Sequence, residues 1–280
     1  MPEAHREDIT QLEERARRIR KHIVRATTAA GSGHPSSSLS MVEIGTALYF
    51  GGFLRYDPEH PNDPNRDVFI LSKGHAAPGL YALLAEAGYF PTEQLTDLRK
   101  MGSPLEGHPN MCRLPGIEAS TGSLGQGASI GIGHALAARL DGRDSRVYVL
   151  VGDGESEEGQ VWEAAMYAGN AELDNFTLIV DRNGYQQTDA VDKVQPLDPL
   201  EDKFKAFGFE TRSIDGHSFE DVIGALEWAR GIEGKPQAII ARTIKGKGVA
   251  LLEAKQGGWH GKPIPPEEES KALEEIGAGS

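Results

Sequence analysis

The stretch from Val147 to Asn183 constrains the fold more tightly than any other part of the chain. An apolar run of strand length, Arg146 to Val151, ends at Gly152-Asp153-Gly154. A helical pattern follows from Gly159 to Glu172, and a second apolar run, Phe176 to Asp181, ends at Arg182-Asn183-Gly184. Two strands joined through a helix cannot pair as a hairpin; they lie parallel, with a right-handed crossover. The alternation continues, with helices at Leu200 to Phe207 and Phe219 to Arg230 and strands at Phe209 to Ile214 and Gln237 to Thr243. Upstream, Val68 to Ser72 reads as a strand leading into the helical pattern Ala76 to Ala87, and Gln126 to Leu140 as a small-residue helix. The expected fold is α/β: a parallel sheet with helices on both faces. Such sheets hold ligands in the loops at the carboxyl ends of their strands.

The N-terminal part reads as helix and loop. Ile9, Leu12, Ala16, Ile19, Ile23 and Ala26 recur three and four apart, which makes one face of a helix over Asp8 to Ala30. Gly31 to Pro35 carries its stop signal, and Met41 to Phe50 forms a second, short helix. Pro91-Thr92 starts another, with Thr92 as its cap. From Gly102 to Gly125 periodicity vanishes, and a loop of that length inside a compact domain is usually functional. No repeat or linker divides residues 1–262, which are expected to form one domain. Residues 263–280, rich in Pro and Glu, read as a loosely held tail.

Composition sets limits on the ligand. With 42 acidic and 29 basic residues the net charge is −13, so a broad electrostatic grip on nucleic acid or an anionic membrane is excluded. An anion must be held locally, by backbone amides, a metal ion or a few placed side chains. The chain has 34 glycines, which points to tight turns or to backbone passing close to a ligand. A single cysteine, Cys112, allows no internal disulfide and fits a reducing compartment. With neither a signal-peptide core near the N-terminus nor an apolar run of membrane-spanning length, the expectation is a soluble, cytoplasmic protein.

The strand ends carry the chemistry. Asp153 and Asn183 are 30 positions apart, each just past a strand of one βαβ unit, so they come side by side on the same edge of the sheet. Asp153 offers a hard anionic oxygen and Asn183 a neutral amide oxygen. With a nearby main-chain carbonyl, such as that of Tyr185, they supply three of the six oxygens that Mg²⁺ prefers, leaving the rest to phosphate and water. Gly152 and Gly154 flank the aspartate, and Gly154 lets backbone approach a phosphate. Gly-Asp-Gly and Asn-Gly are each common turns on their own; the spacing is what favours a metal–diphosphate site. Thr121 to Gly127 is a Gly-rich loop opening into a helix, a place where phosphate can bind, though packing explains it equally well. Lys245-Gly246-Lys247-Gly248 lacks the upstream glycine and following hydroxyl of a P-loop. Four of nine histidines, His34, His75, His108 and His260, sit beside glycine in loop-like contexts. Their imidazoles suit the handling of hydroxyls and diphosphate near neutral pH, and they lack zinc-motif spacing. Glu155, Glu157 and Glu158 read as an acidic first helical turn.

In this order the motifs resemble the transketolase family. They are Ser32-Gly33-His34-Pro35, Leu71-Ser72-Lys73-Gly74-His75-Ala76, Gly107-His108-Pro109, Thr121 to Gly127, Gly152-Asp153-Gly154 with Asn183, Glu157-Glu158-Gly159 and Trp259-His260-Gly261. The resemblance spans roughly residues 10 to 262. It implies thiamine diphosphate and Mg²⁺ as cofactors, with Asp153, Asn183 and the Tyr185 carbonyl on the metal. His75, Gly152, Gly154 and His260 would lie at the diphosphate, and Gly122 and Leu124 along the cofactor's path. His34, His108 and His260 would face the substrate, and Glu158 would join a glutamate network reaching a partner chain. The activity implied is transfer of a two-carbon ketol unit between sugars or sugar phosphates. Full-length members are more than twice this length and carry the cofactor-activating glutamate in a second domain. The chain therefore resembles the N-terminal subunit of a split transketolase, paired with a C-terminal, pyrimidine-binding subunit in a dimer of heterodimers. Tyr185-Gln186-Gln187-Thr188 departs from the family's Ile-Asp-Gly turn. Two other readings stand beside this one. A deoxyxylulose-phosphate synthase-like carboligase is disfavoured by Glu157-Glu158-Gly159 and the early Gly-His-Pro. A non-catalytic cofactor-binding subunit is disfavoured by the complete set of histidines and metal ligands.

Overall fold

The computed structural model describes residues 6–278. The chain opens with α1 (Ile9–Ala30), whose Asp8 cap accepts from the Gln11 amide while Gln11 reaches back to the Asp8 N–H. That reciprocal box satisfies two amides the helix start leaves open. Gly31, at φ 58°, ends the helix in the left-handed region that glycine tolerates. Short α2 (Pro35–Leu39) and α3 (Val42–Phe50) follow, then β1 (Val68–Leu71) and α4 (Ala77–Glu86). Pro91, not Thr92, caps the next segment, which is a 3₁₀ helix over Thr92–Asp97; the sequence reading is corrected there. Residues 102 to 125 form the long irregular loop that the missing periodicity predicts.

The alternating half then runs α5 (Gln126–Leu140), β2 (Val147–Gly152), α6 (Gly159–Asn170), β3 (Phe176–Arg182), α7 (Val191–Val194), α8 (Leu200–Ala206), β4 (Glu210–Asp215), α9 (Phe219–Arg230) and β5 (Gln237–Arg242). All five strands are parallel, in the order β1-β2-β3-β5-β4. Successive strand residues face opposite layers. Val147, Val149 and Val151 pack with α5, α6 and α8, whereas Tyr148 and Leu150 pack with α1, α3, α4 and α9. Both faces are therefore buried, which is why the central strands read as unbroken apolar runs.

The C-terminal part corrects the expectation of a loose tail. After α10 (Ala250–Glu253), residues Pro266–Ala278 form α11, which packs on α1 and buries Ala272 and Ile276 in the main core. Pro at the first helical position and Glu267, Glu268 and Glu269 in the first turn are helix-start signals, and they outweigh the solvated look of the glutamate run. Among the described residues, no helix is long and apolar enough to cross a membrane.

Candidate functional site

Parallel strands bring their carboxyl ends to one edge, and a cavity of about 620 Å³ opens there. His75 reaches it from the turn after β1; Gly152 ends β2, and Asp153, Gly154 and Glu158 follow it; Asn183 and Tyr185 follow β3. His34, His108, Gly122, Leu124 and His260 close the remaining sides from loops. Every site residue named from the sequence thus lines a single cavity.

Register explains the central pair. Gly152 pairs with Asp181 across β2 and β3, so Asp153 and Asn183 leave neighbouring strand ends together. Asp153 is 3% exposed, and its carboxylate accepts the amides of Gly154 at 2.8 Å and Gly184 at 2.5 Å. Burial, and next the nearby Asp181 carboxylate, push its pKa up to about 7. A buried carboxylate so poorly compensated fits a dication, whose charge would hold it ionised. Among the described residues, Asn183 Oδ1 takes only the Tyr185 amide, at 3.2 Å. The Tyr185 carbonyl accepts Lys245 Nζ at 3.3 Å and keeps a second lone pair. Among the described residues no cluster of three or more His, Cys, Asp or Glu could hold a metal. The donors here are instead one carboxylate, one amide and one carbonyl, the hard-oxygen set of Mg²⁺.

Above this pair the histidines form a triangle. His34, His75 and His260 have ring centroids 5.1 to 5.2 Å apart. Burial, then the Arg99 guanidinium, lowers His34 to about 4; burial, then the Lys245 ammonium, lowers His260 to about 3. His75 lies well below its ordinary value, mainly through burial and next through Lys73. At neutral pH all three are uncharged, each able to donate from one ring nitrogen and accept at the other. His34 Nδ1 is buried with no partner among the described residues, a polar atom available to a ligand. His108 presses on Gly122, where a Cβ would stand 3.0 Å from its ring. Gly122 also has φ +155°, which a side chain resists. Gly122→Ala is expected to displace His108 and lower kcat/KM at least about tenfold while costing less than about 2 kcal/mol of stability. An unchanged kcat/KM would remove His108 from the working site.

The structure adds groups that the sequence reading did not single out. Lys245, the first lysine of the rejected P-loop candidate, is 1% exposed and donates toward His260 Nδ1 at 2.9 Å. Burial, then Lys73, lowers it to about 8. It follows β5 at the same sheet edge, which was the available signal. Lys73 and Asp181 form a buried ion pair beneath the cavity. Glu155 is not a helix-dipole partner as its position suggested. It is buried, and its two oxygens take the amides of Gly125 and Gly152 and the hydroxyl of Ser72. Ser72 in turn accepts the Gly127 amide. Those loop amides are therefore spent inside the protein, and Gly122 and Leu124 are what the loop gives the cavity. Gly154 also has a packing purpose, since a Cβ there would lie 2.6 Å from Gln186 Cβ. Packing alone already requires glycine there, at a position that also lines the cavity. At the rim, Glu158 is exposed and Glu157 Oε1 is buried without a partner among the described residues. Burial and the neighbouring Glu158 raise the Glu157 pKa, and neither residue is ion-paired among the described residues.

Fold and cavity together define a parallel α/β domain with a ligand-sized cavity at the carboxyl edge of its sheet. Residues 12–279 match the family described as transketolase, thiamine diphosphate binding domain. Over 244 residues the chain is 46% identical to the 6-deoxy-6-sulfo-D-fructose transketolase subunit SqwG of Clostridium sp. (strain MSTE9), a match that covers 87% of this chain and 88% of that one. It is 42% identical over 268 residues to an apulose-4-phosphate transketolase subunit of Actinobacillus succinogenes, covering 95% of this chain and 96% of the relative. Human transketolase is 42% identical over 266 residues, yet the match spans only 42% of its length. The crystal structure of transketolase from Campylobacter jejuni superposes with a TM-score of 0.90 at 35% identity, over 97% of this chain and 43% of that one. The chain belongs to the transketolase family, as its N-terminal, thiamine-diphosphate-binding kind.

Proposed function

We propose that this chain is the cofactor-binding half of a cytoplasmic transketolase that moves a two-carbon ketol unit from a ketose to an aldose, with thiamine diphosphate and Mg²⁺. The observation that carries the reading is the convergence of Asp153 and Asn183, at neighbouring strand ends, under a triangle of neutral imidazoles. Asp153, Asn183 and the Tyr185 carbonyl hold the metal. His75, Lys245 and His260 face the diphosphate, and Gly122 and Leu124 line the cofactor's path. Breaking a carbon–carbon bond beside a ketose carbonyl needs an electron sink, which thiamine diphosphate supplies when bound. The protein's part is orientation and proton handling. His34, His108 and His260 bind the hydroxyls of the sugar, and an uncharged imidazole can take a proton from one hydroxyl and return it later.

The same geometry supports a partner. Glu157 and Glu158 stand at the rim without a counter-charge among the described residues, where a second chain bearing the pyrimidine-binding half would meet them. The names of two relatives carry a sulfo-sugar and a sugar phosphate, which makes anionic sugars the first donors to test. A dimer of heterodimers is the expected assembly. The chain alone is expected to show no ketol transfer, and the mixture with its C-terminal subunit to be active only with Mg²⁺ and thiamine diphosphate. A coupled assay over a panel of ketoses checks this. Full activity of the isolated chain, or an inactive complex on every ketose, would overturn the reading.

A further inference from the structure

Arg20, Glu43 and His217 form a buried polar chain that takes no direct part in the cavity. Glu43 is 6% exposed; its Oε1 accepts Arg20 Nη2 at 2.5 Å, and its Oε2 meets His217 Nδ1 at 2.9 Å. The other imidazole nitrogen, Nε2, receives the backbone N–H of Ile244 at 2.8 Å. Arg20 continues through Nε to the carbonyl of Lys247 at 3.2 Å. One carboxylate on α3 therefore grips the chain on both sides of Lys245. The grip matters because residues 243 to 248 belong to neither strand nor helix. A backbone N–H can bond only to a nitrogen with a free lone pair, so Nε2 is unprotonated and the proton lies on Nδ1, facing Glu43.

We propose that Glu43 and His217 are positioning residues for cofactor binding. Through the Ile244 amide they fix where the Lys245 ammonium stands. The inference rests on the reading of Lys245 as a diphosphate contact. Partners one step behind a ligand-binding group typically matter by about 10- to 100-fold. Glu43→Gln makes a sharp probe, because it changes one atom. Its amide oxygen can still accept from Arg20, but its NH₂ then faces His217 Nδ1. The imidazole must move its proton to Nε2, which sets two donors against each other at Ile244.

The test uses the complex with the C-terminal subunit, titrated with thiamine diphosphate at fixed Mg²⁺. Glu43→Gln is expected to raise the half-saturating cofactor concentration about 10- to 100-fold, with kcat at saturation within about threefold of the parent. In a Lys245→Ala background the same change should alter it by less than about twofold, the mark of two residues acting through one contact. Equal shifts in both backgrounds would overturn the proposal, since a general loosening of the fold does not depend on Lys245. Lys245→Ala alone tests the underlying reading, which fails if cofactor affinity is unchanged. Should Glu43→Gln not fold, ¹⁵N spectra of histidine-labelled parent protein decide. An unprotonated Nε2 at His217 supports the pair, and a protonated one sinks it.

Discussion

Asp153→Asn is expected to make the cofactor-free chain more stable above pH 7 and to weaken binding of thiamine diphosphate with Mg²⁺ by at least about 100-fold, beyond what outer partners of metal ligands usually give. The two effects share one cause. Burial and the Asp181 carboxylate hold the Asp153 pKa at about 7 rather than 3.8, so the folded chain resists the very charge a dication needs. The sign follows from linkage. A carboxyl whose folded pKa is raised adds stability that is complete below its unfolded value and is lost as pH climbs through about 7. Ionising it in the folded chain costs on the order of a few kcal/mol. Asparagine matches the acid in shape and carries no charge, but its single oxygen can accept from only one of the Gly154 and Gly184 amides, so one of these contacts is lost at every pH. The variant should therefore melt no higher than the parent near pH 5 and gain on it steadily as pH rises, the parent melting lower by pH 8. With Mg²⁺ and cofactor present the order reverses, because only the parent gains from the ligand. Parent affinity should also fall up to tenfold for each pH unit below about 7, as protons compete with the metal for Asp153. A flat pH dependence of the stability difference, or near-normal cofactor affinity in the variant, would remove Asp153 from the metal site.

The site was legible because its position is set by the backbone. Once β2 and β3 read as parallel neighbours, Asp153 and Asn183 had to share an edge, whatever the side chains around them did. The histidines were legible for a different reason. Each sits in a glycine-rich loop, and loops of a parallel sheet gather at its carboxyl edge. What stayed hidden was buried charge. Lys73, Asp181, Lys245 and Glu155 are all 3% exposed or less, and nothing in their local pattern separates them from solvated residues. Their burial comes with partners far along the chain: Ser72 for Glu155, Asp181 for Lys73 and Tyr185 for Lys245. Strand order was hidden too, since β5 inserts between β3 and β4 and no local signal fixes that choice. The α11 helix was readable, with its proline start, acidic first turn and the pair Ala272 and Ile276 four apart. Its glutamate run has the composition of a solvated tail, which masks that spacing.

Lys73→Met should cost about 3 to 5 kcal/mol of stability at neutral pH, the range for breaking a buried ion pair by removing one partner. Lys73 is 1% exposed and Asp181 is 0% exposed at the side chain, so no water can replace the lost ammonium. The pair is also well furnished. Lys73 Nζ donates to the Ser37 carbonyl at 2.7 Å, and Asp181 accepts from Ser40 Oγ at 2.6 Å and from Thr243. Burial alone would push Asp181 up, but the Lys73 ammonium and these hydroxyls outweigh it and hold the carboxyl below its ordinary range. In the parent, this group therefore adds stability above the unfolded carboxylate pKa and loses it as pH falls through the depressed value. Methionine in place of the lysine reverses that dependence. Asp181 is then buried without a cation and takes up a proton, so the variant's deficit should shrink as pH falls from 8 to 5. Pairing the change with Asp181→Asn should restore most of the loss, because a neutral amide can accept from one of the Ser40 and Thr243 hydroxyls, donate to the other through its NH₂, and leave no charge uncompensated. Denaturant titrations of the single and double variants at pH 5 and pH 8 check both statements. A single-variant loss below about 1 kcal/mol, or one unaffected by pH, would show that this pair does not carry the ground on which the cavity stands.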